Sequence, residues 1–200
     1  MEGGYCNGIQ CGTAASGETY RGIDRKQAGK NWKGWALIDA WKKKKGNVPY
    51  NYFFSVKDGK VGPEINALAD EFWAGWWNQY GIGKLQNQHL AAMFYGWSAQ
   101  GQNRAMADIN AIAKQFGAKQ FSSTTITDNV AAAINANLAS AYSLLRNRLL
   151  KFYKDRGLTS ISKNRVEVFP VSISNKKTVT LQKALGPLGW VAAAFGLSNL

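Results

Sequence analysis

Between residues 31 and 155 the apolar side chains return again and again at helical spacing, and each stretch carries its own start or stop signal. That pattern constrains the fold more than any other feature of the chain, because a stripe of period 3.6 can bury itself only as a helix packed on other helices. Residues 31–45 carry Trp32, Trp35, Leu37, Ile38 and Trp41, then Lys42, Lys43, Lys44 and Lys45 just ahead of Gly46. A run of lysines there reads as a solvated C-terminal turn, where the helix dipole favours cations. Gly62-Pro63 opens a second helix, with Ile65, Leu68, Phe72, Trp73, Trp76 and Trp77 on one stripe ending near Gly81. Residues 85–97 and 104–116 read as two further helices, the latter closed by Gly117. From Asp128 to about Asp155 the positions Val130, Ile134, Leu138, Leu145, Leu149 and Phe152 predict one long helix.

The flanks differ. Residues 165–174 and 177–181 alternate like two strands around Asn175-Lys176, with Pro170 confining the first to an edge or an interrupted strand. Near the other end, residues 17–23 (Gly-Glu-Thr-Tyr-Arg-Gly-Ile) read as the start of a β-hairpin. The fold expected is mainly α, with a small N-terminal hairpin and a C-terminal hairpin of its own kind. The segments divide as 1–60, 61–157 and 158–200. The apolar run 188–197 is too short to span a bilayer, and it docks on the body, contacts a partner or lies at a membrane surface.

With 46% hydrophobic and 18% charged residues, 200 residues are enough to bury a core. A formal net charge of +13 points to a polyanionic partner. Nucleic acid fits least, since no zinc-finger spacing, RNP-type motif or helix-turn-helix is present and the basic residues are scattered. Cell-wall polymers or an anionic membrane face fit better. One histidine and two cysteines exclude a zinc hydrolase, which needs several ligands at set spacing. No Walker-type phosphate loop is present, and no cofactor or metal is expected. Pairing of Cys6 or Cys11 with His89 would make a cysteine peptidase, but His89 lies on an apolar helical stripe and reads instead as a packed or hydrogen-bonded core residue.

The N-terminal residues Glu2-Gly3-Gly4-Tyr5 and Asn7, followed by Gly17-Glu18-Thr19 and Gly22-Ile23, resemble the active-site signature of glycoside hydrolase family 108. That family comprises phage endolysins and secretion-activator muramidases. Residues 72–101 and 144–155 are similar to its second half, a predicted peptidoglycan-binding domain, so the likeness covers residues 2–155 in patches. The resemblance implies a lysozyme-like fold and cleavage of the β-1,4 bond between N-acetylmuramic acid and N-acetylglucosamine, with Glu2 as general acid. It also implies peptidoglycan as substrate and a phage-encoded enzyme acting in the host periplasm or wall, without need of a signal peptide.

Such chemistry requires a carboxylic acid kept protonated near neutral pH and a second group that places water or stabilises the oxocarbenium-like transition state. Thr19 is the residue expected to hold the water. Glu18 is the alternative second carboxyl, or else a surface charge on the hairpin. The loop 8–16 lacks a carboxylate; Cys11 falls where related lysozyme-like enzymes accept Asp or Cys, and is otherwise an ordinary partner of Cys6, free or disulfide-linked. Gly3 and Gly4 would let a sugar chain approach the backbone, with Tyr5 and Tyr20 as sugar-contacting walls. Asp24 and Asp39 read as caps or salt-bridge partners. The reading from another class is a non-catalytic, lysozyme-like phage or secretion-system component that binds cell wall.

Overall fold

A computed structural model describes residues 4–7, 17–26, 29–159 and 166–175. Its elements run β1 (Tyr5–Cys6), β2 (Thr19–Tyr20), β3 (Ile23–Asp24), α1 (Gly34–Lys45), α2 (Val61–Gln79), α3 (Gln88–Gln115), α4 (Asp128–Ala136) and α5 (Leu138–Asp155). The chain is mainly helical with a small N-terminal antiparallel sheet, as the periodicity predicts. Two compact units divide between Trp73 and Ala74, inside α2. The expected boundary at residue 60 is therefore displaced. The first half of α2 is held by the β2-β3 turn and by the segment ahead of α1: Trp73 Nε1 donates to the Arg21 carbonyl and Trp32 Nε1 to the Leu68 carbonyl, each at 3.0 Å.

In the first unit the strand order is β1-β2-β3, with Tyr5 opposite Tyr20 and Tyr20 opposite Ile23. Strand alternation puts these three on one face, and all three are buried. The β2-β3 turn places Arg21 and Gly22 at φ 49° and 77°. Two positive φ values in a two-residue hairpin loop define the primed turn that matches strand twist, and Gly22 adopts its value without a Cβ penalty. Tyr20 stacks on Trp32, Trp32 meets Trp35 edge-on, and Trp41 packs against both Tyr52 and Phe54. These offset and edge-to-face pairs join α1 to the sheet and to the segment 50–56. Helix α1 ends at Lys45 before Gly46, whose φ of 93° stops it.

In the second unit α3 starts at Asn87, whose Oδ1 accepts from the His89 and Leu90 amides at 3.0 and 3.1 Å. The two helices expected at 85–97 and 104–116 are the two arms of α3, bent at Gly101 (φ −173°, ψ 79°). Gly117 follows at φ 85° as the expected stop.

Two expectations are corrected. The long helix from Asp128 breaks at Asn137 (φ −133°, ψ 40°), whose Nδ2 returns to the Ala133 carbonyl at 3.0 Å. A one-residue interruption keeps the apolar phase, so Val130, Ile134, Leu138 and Leu145 are all still buried. The first strand of the C-terminal hairpin is absent from residues 166–174. Val166 and Phe169 are buried three residues apart around a turn in which the Phe169 amide donates to the Val166 carbonyl at 3.1 Å. Pro170 has no amide to give a ladder, and its carbonyl is taken by the Tyr142 hydroxyl at 2.5 Å. Residues 177–181 and the apolar run 188–197 lie outside the described residues. Among the described residues, no helix is long and apolar enough to cross a membrane.

Candidate functional site

The first unit carries a cleft of about 400 Å³ lined by Tyr5, Asn7, Glu18, Lys42, Asn47, Val48, Pro49 and Tyr50. Its floor follows from the strand register. Tyr5 lies opposite Tyr20, and Glu18, two residues before Tyr20, falls on that same face. The Tyr5 hydroxyl donates to Glu18 Oε1. Lys42 donates to the same oxygen and lies 4.9 Å from the Tyr5 ring centroid. Glu18 Oε2 takes Arg25 at 2.5 Å. Arg25 also grips Asp39 with both terminal nitrogens, at 2.8 and 2.6 Å, and its guanidinium lies 5.2 Å from the centre of Trp35. A chain of alternating charge, Lys42-Glu18-Arg25-Asp39, thus underlies one side of the cleft.

Protonation follows from that chain. Burial alone would raise the Glu18 carboxyl, but hydrogen bonds from Lys42, Tyr5 and Arg25 and the Lys42 charge outweigh it and hold it below the ordinary value. Burial first, then the hydrogen bond to Glu18, pushes the Tyr5 phenol up. Burial opposes the Lys42 ammonium, yet its bonds to Glu18 and Tyr5 prevail and raise it. The Arg25 hydrogen bond lowers Asp39, more than burial raises it. At neutral pH Glu18 is a carboxylate with its lone pairs engaged, unsuited to donate a proton.

The residues singled out in the sequence separate. Tyr5 and Glu18 meet at the cleft. Thr19 is buried on the opposite sheet face, its Oγ1 at 3.3 Å from Cys6 Sγ, and it is not among the cleft residues. Cys6 is disulfide-bonded, so the Thr19 hydroxyl is the donor, and Cys6 offers no thiolate to a peptidase mechanism. The other cysteine of the sequence, Cys11, lies outside the described residues, as do Glu2 and Gly3.

Tyr20 is fully buried, its hydroxyl on Asn66 Oδ1 at 2.6 Å. That makes it a core residue and corrects its reading as a sugar-contacting wall. Gly4 is buried too, and the Tyr52 carbonyl occupies the space where its Cβ would stand. The chain's own backbone uses the close approach that the sequence reading reserved for a sugar. Asp39 is a salt-bridge partner and Asp24 closes a turn on the Lys26 amide at 2.7 Å, both as expected. His89 sits half-buried in the first turn of α3, and burial lowers its imidazole, keeping it neutral.

Sequence reasoning missed Lys42, grouped there with three solvated lysines. The available signal was its spacing: Trp35, Ile38 and Lys42 stand at i, i+3 and i+7, so Lys42 falls on the buried face of α1 while Lys43, Lys44 and Lys45 are exposed. The Asn47-to-Tyr50 wall was also missed, since nothing local predicts its return to β1. Asn51 brings it there: its Oδ1 accepts from the Gly4 amide at 2.9 Å, and its own amide donates to the Tyr5 carbonyl at 2.7 Å. Among the described residues no group of His, Cys, Asp and Glu could hold a metal ion. Compared with protein-family models, with curated proteins and with solved structures, the chain finds no match in any of the three.

Proposed function

We propose that the protein is a peptidoglycan hydrolase of the muramidase type, with Glu2 as the general acid and the Tyr5-to-Tyr50 cleft as the seat of a glycan strand. The observation that carries this reading is the cleft itself. Its lining mixes one exposed aromatic face (Tyr50), amides (Asn7, Asn47) and a fixed ion pair (Glu18, Lys42) above the buried Tyr5, a mixture that can stack on a pyranose ring and hydrogen-bond its hydroxyls. Glu2 precedes Tyr5 by three residues, and three peptide units span at most about 11 Å, whatever their conformation. The proton donor is assigned to Glu2 by its place in the family-like signature, and Glu18, held ionised, does not suit that role.

The test is turbidity clearance of purified peptidoglycan with mass analysis of the new ends. Reducing-sugar ends are expected, and Glu2→Gln should lower their release by about 10²-fold or more at an unchanged unfolding midpoint. New amino ends, or full activity in Glu2→Gln, would overturn the assignment.

One observation favours a second reading, a non-catalytic wall-binding protein. The two groups expected to assist Glu2 are both engaged, Glu18 by Lys42 and Arg25 and Thr19 against Cys6. That reading predicts sacculus binding with no new ends of either kind. Under both readings the net charge of +13 draws the protein to anionic wall polymers, and binding should weaken as salt shortens the Debye length below about 8 Å.

A further inference from the structure

Half of the strongly exposed large apolar side chains among the described residues lie within seven positions of one loop: Tyr50, Phe53 and Val56, at 61%, 53% and 79% exposure. Each is presented by local backbone geometry. Tyr50 occupies a corner of the turn in which the Tyr52 amide donates to the Pro49 carbonyl at 3.3 Å, with Asn51 at φ 58°. Tyr52 and Phe54 both turn inward onto Trp41, at 5.7 and 5.6 Å between ring centres, so alternation along the chain sends Phe53 the other way. Val56 begins the 3-10 turn Val56–Asp58, which is fixed by Ser55 accepting from Lys57 and by Asp58 accepting from the Ser55 amide at 2.8 Å. Outward projection is therefore built into the loop.

The surroundings are cationic. Trp41 at the end of α1 packs on this loop, and the exposed Lys44 and Lys45, three and four residues further along, share its helix face; Lys43, Lys57 and Lys60 are exposed as well. Against these five lysines the stretch 43–60 holds one acid, Asp58. Its two oxygens are taken by the Tyr52 hydroxyl and the Ser55 amide. Apolar tips on a loop flanked by exposed lysines complement a surface that is anionic outside and hydrocarbon beneath. A soluble polyanion would satisfy the lysines and leave Phe53 and Val56 in water; a bilayer takes both, because lysine stems lie along the interface while the ammonium groups stay with the headgroups.

We propose that the loop 51–60 is a peripheral membrane-docking element, seating Phe53 and Val56 in the interface of an anionic lipid surface with Lys44, Lys45, Lys57 and Lys60 on its headgroups. The element is independent of the glycosidase reading, since Phe53 and Val56 are not among the cleft residues.

The full chain should be sedimented with vesicles of phosphatidylglycerol mixed with phosphatidylcholine, and with vesicles of phosphatidylcholine alone. Binding to the mixed vesicles is expected and binding to the neutral ones is not. Phe53→Ser with Val56→Ser should lower the partition by about tenfold or more, given two apolar side chains withdrawn from the interface. The unfolding midpoint and the binding to lipid-free sacculi should not move. Lys44→Glu with Lys45→Glu should weaken vesicle binding and reduce its salt dependence. Absence of vesicle binding would overturn the proposal. So would binding that survives in the double serine variant, which would assign the anchor to another segment, and so would equal affinity for a soluble polyphosphate, which would reduce the surface to charge alone.

Discussion

The Tyr52 carbonyl fills the position that a Cβ on Gly4 would take, and the Asn51 carbonyl carbon stands 2.7 Å from the same point. That closeness is the bridge between β1 and the loop: the Tyr5 amide donates to the Tyr52 carbonyl at 2.7 Å, one residue along. A methyl group at residue 4 must push the bridge apart. Gly4→Ala should therefore destabilise the protein by about 1–3 kcal/mol, the usual cost of overpacking. Gly75 gives the contrast. It is exposed within α2 with open space where its Cβ would go, so Gly75→Ala should gain about 0.5–1 kcal/mol from helix propensity alone. Denaturant unfolding of the two variants checks both signs, and a neutral Gly4→Ala would mean that β1 is not held against the loop.

Acid should loosen the first unit. Glu18 and Asp39 both have carboxyl pKa values below their ordinary ones, Glu18 because bonds from Lys42, Tyr5 and Arg25 overcome its burial, Asp39 chiefly through the Arg25 hydrogen bond. A depressed folded value means that the unfolded chain binds the proton more readily. The stabilisation is thus complete above the unfolded values, about 4 for both groups, and is lost as pH falls through the folded ones. Unfolding midpoints measured from pH 7 down to about pH 2 should hold while the pH stays above about 4 and drop below it. Glu18→Gln should be less stable at neutral pH and show a shallower acid decline. A parallel decline in wild type and variant would remove Glu18 from the linkage.

The helical body was legible because its information is local. Stripes such as Ile65, Trp73 and Trp77 state which face is buried, and Gly46 and Gly117 mark their stops by positive φ. The break at Asn137 left no trace, since one residue out of register does not disturb the spacing of Ile134, Leu138 and Leu145. At 166–174 alternation misled, because Val166 and Phe169 are buried around a turn and Pro170 cannot join a ladder. The cleft was the least legible part. Glu18 could be named from the hairpin, but its partners stand 7 and 24 residues away at Arg25 and Lys42, and such a network exists only once α1 is laid against the sheet.

The segment 166–175 should detach when Tyr142 loses its hydroxyl. The Tyr142 phenol is pushed up to about 12 by burial, with Arg146 opposing in part, and it donates to the Pro170 carbonyl. A raised phenol pKa stabilises the fold below the unfolded value near 10 and gives that up as pH climbs toward the folded value. Tyr142→Phe keeps the ring in the core and removes the bond. Hydrogen exchange near Val166 and Phe169 should quicken while the amides of α3 and α5 stay protected. Unchanged exchange there would show that Val166 and Phe169 hold the segment by packing alone.

Arg25 joins two carboxylates, and its fork geometry is what Lys cannot reproduce. Arg25→Lys keeps the charge but loses the paired contact with Asp39 and the guanidinium's place 5.2 Å from the centre of the Trp35 ring. Both side chains of the pair are about one-third exposed, at 34% and 39%, so solvent screens much of the attraction. A double-mutant cycle of Arg25→Ala and Asp39→Ala should accordingly give a coupling of about 0.5–1 kcal/mol, within the range for partly exposed, bidentate pairs. Arg25→Lys should recover less than half of it. The distinctive readout is Glu18: with Arg25 gone its carboxyl keeps Lys42 and Tyr5, so its pKa should rise yet remain tied to the cleft. Carboxyl chemical shifts followed through an acid titration of Arg25→Ala would measure that rise, and an unmoved Glu18 would show that Lys42 alone sets the charge at the floor of the cleft.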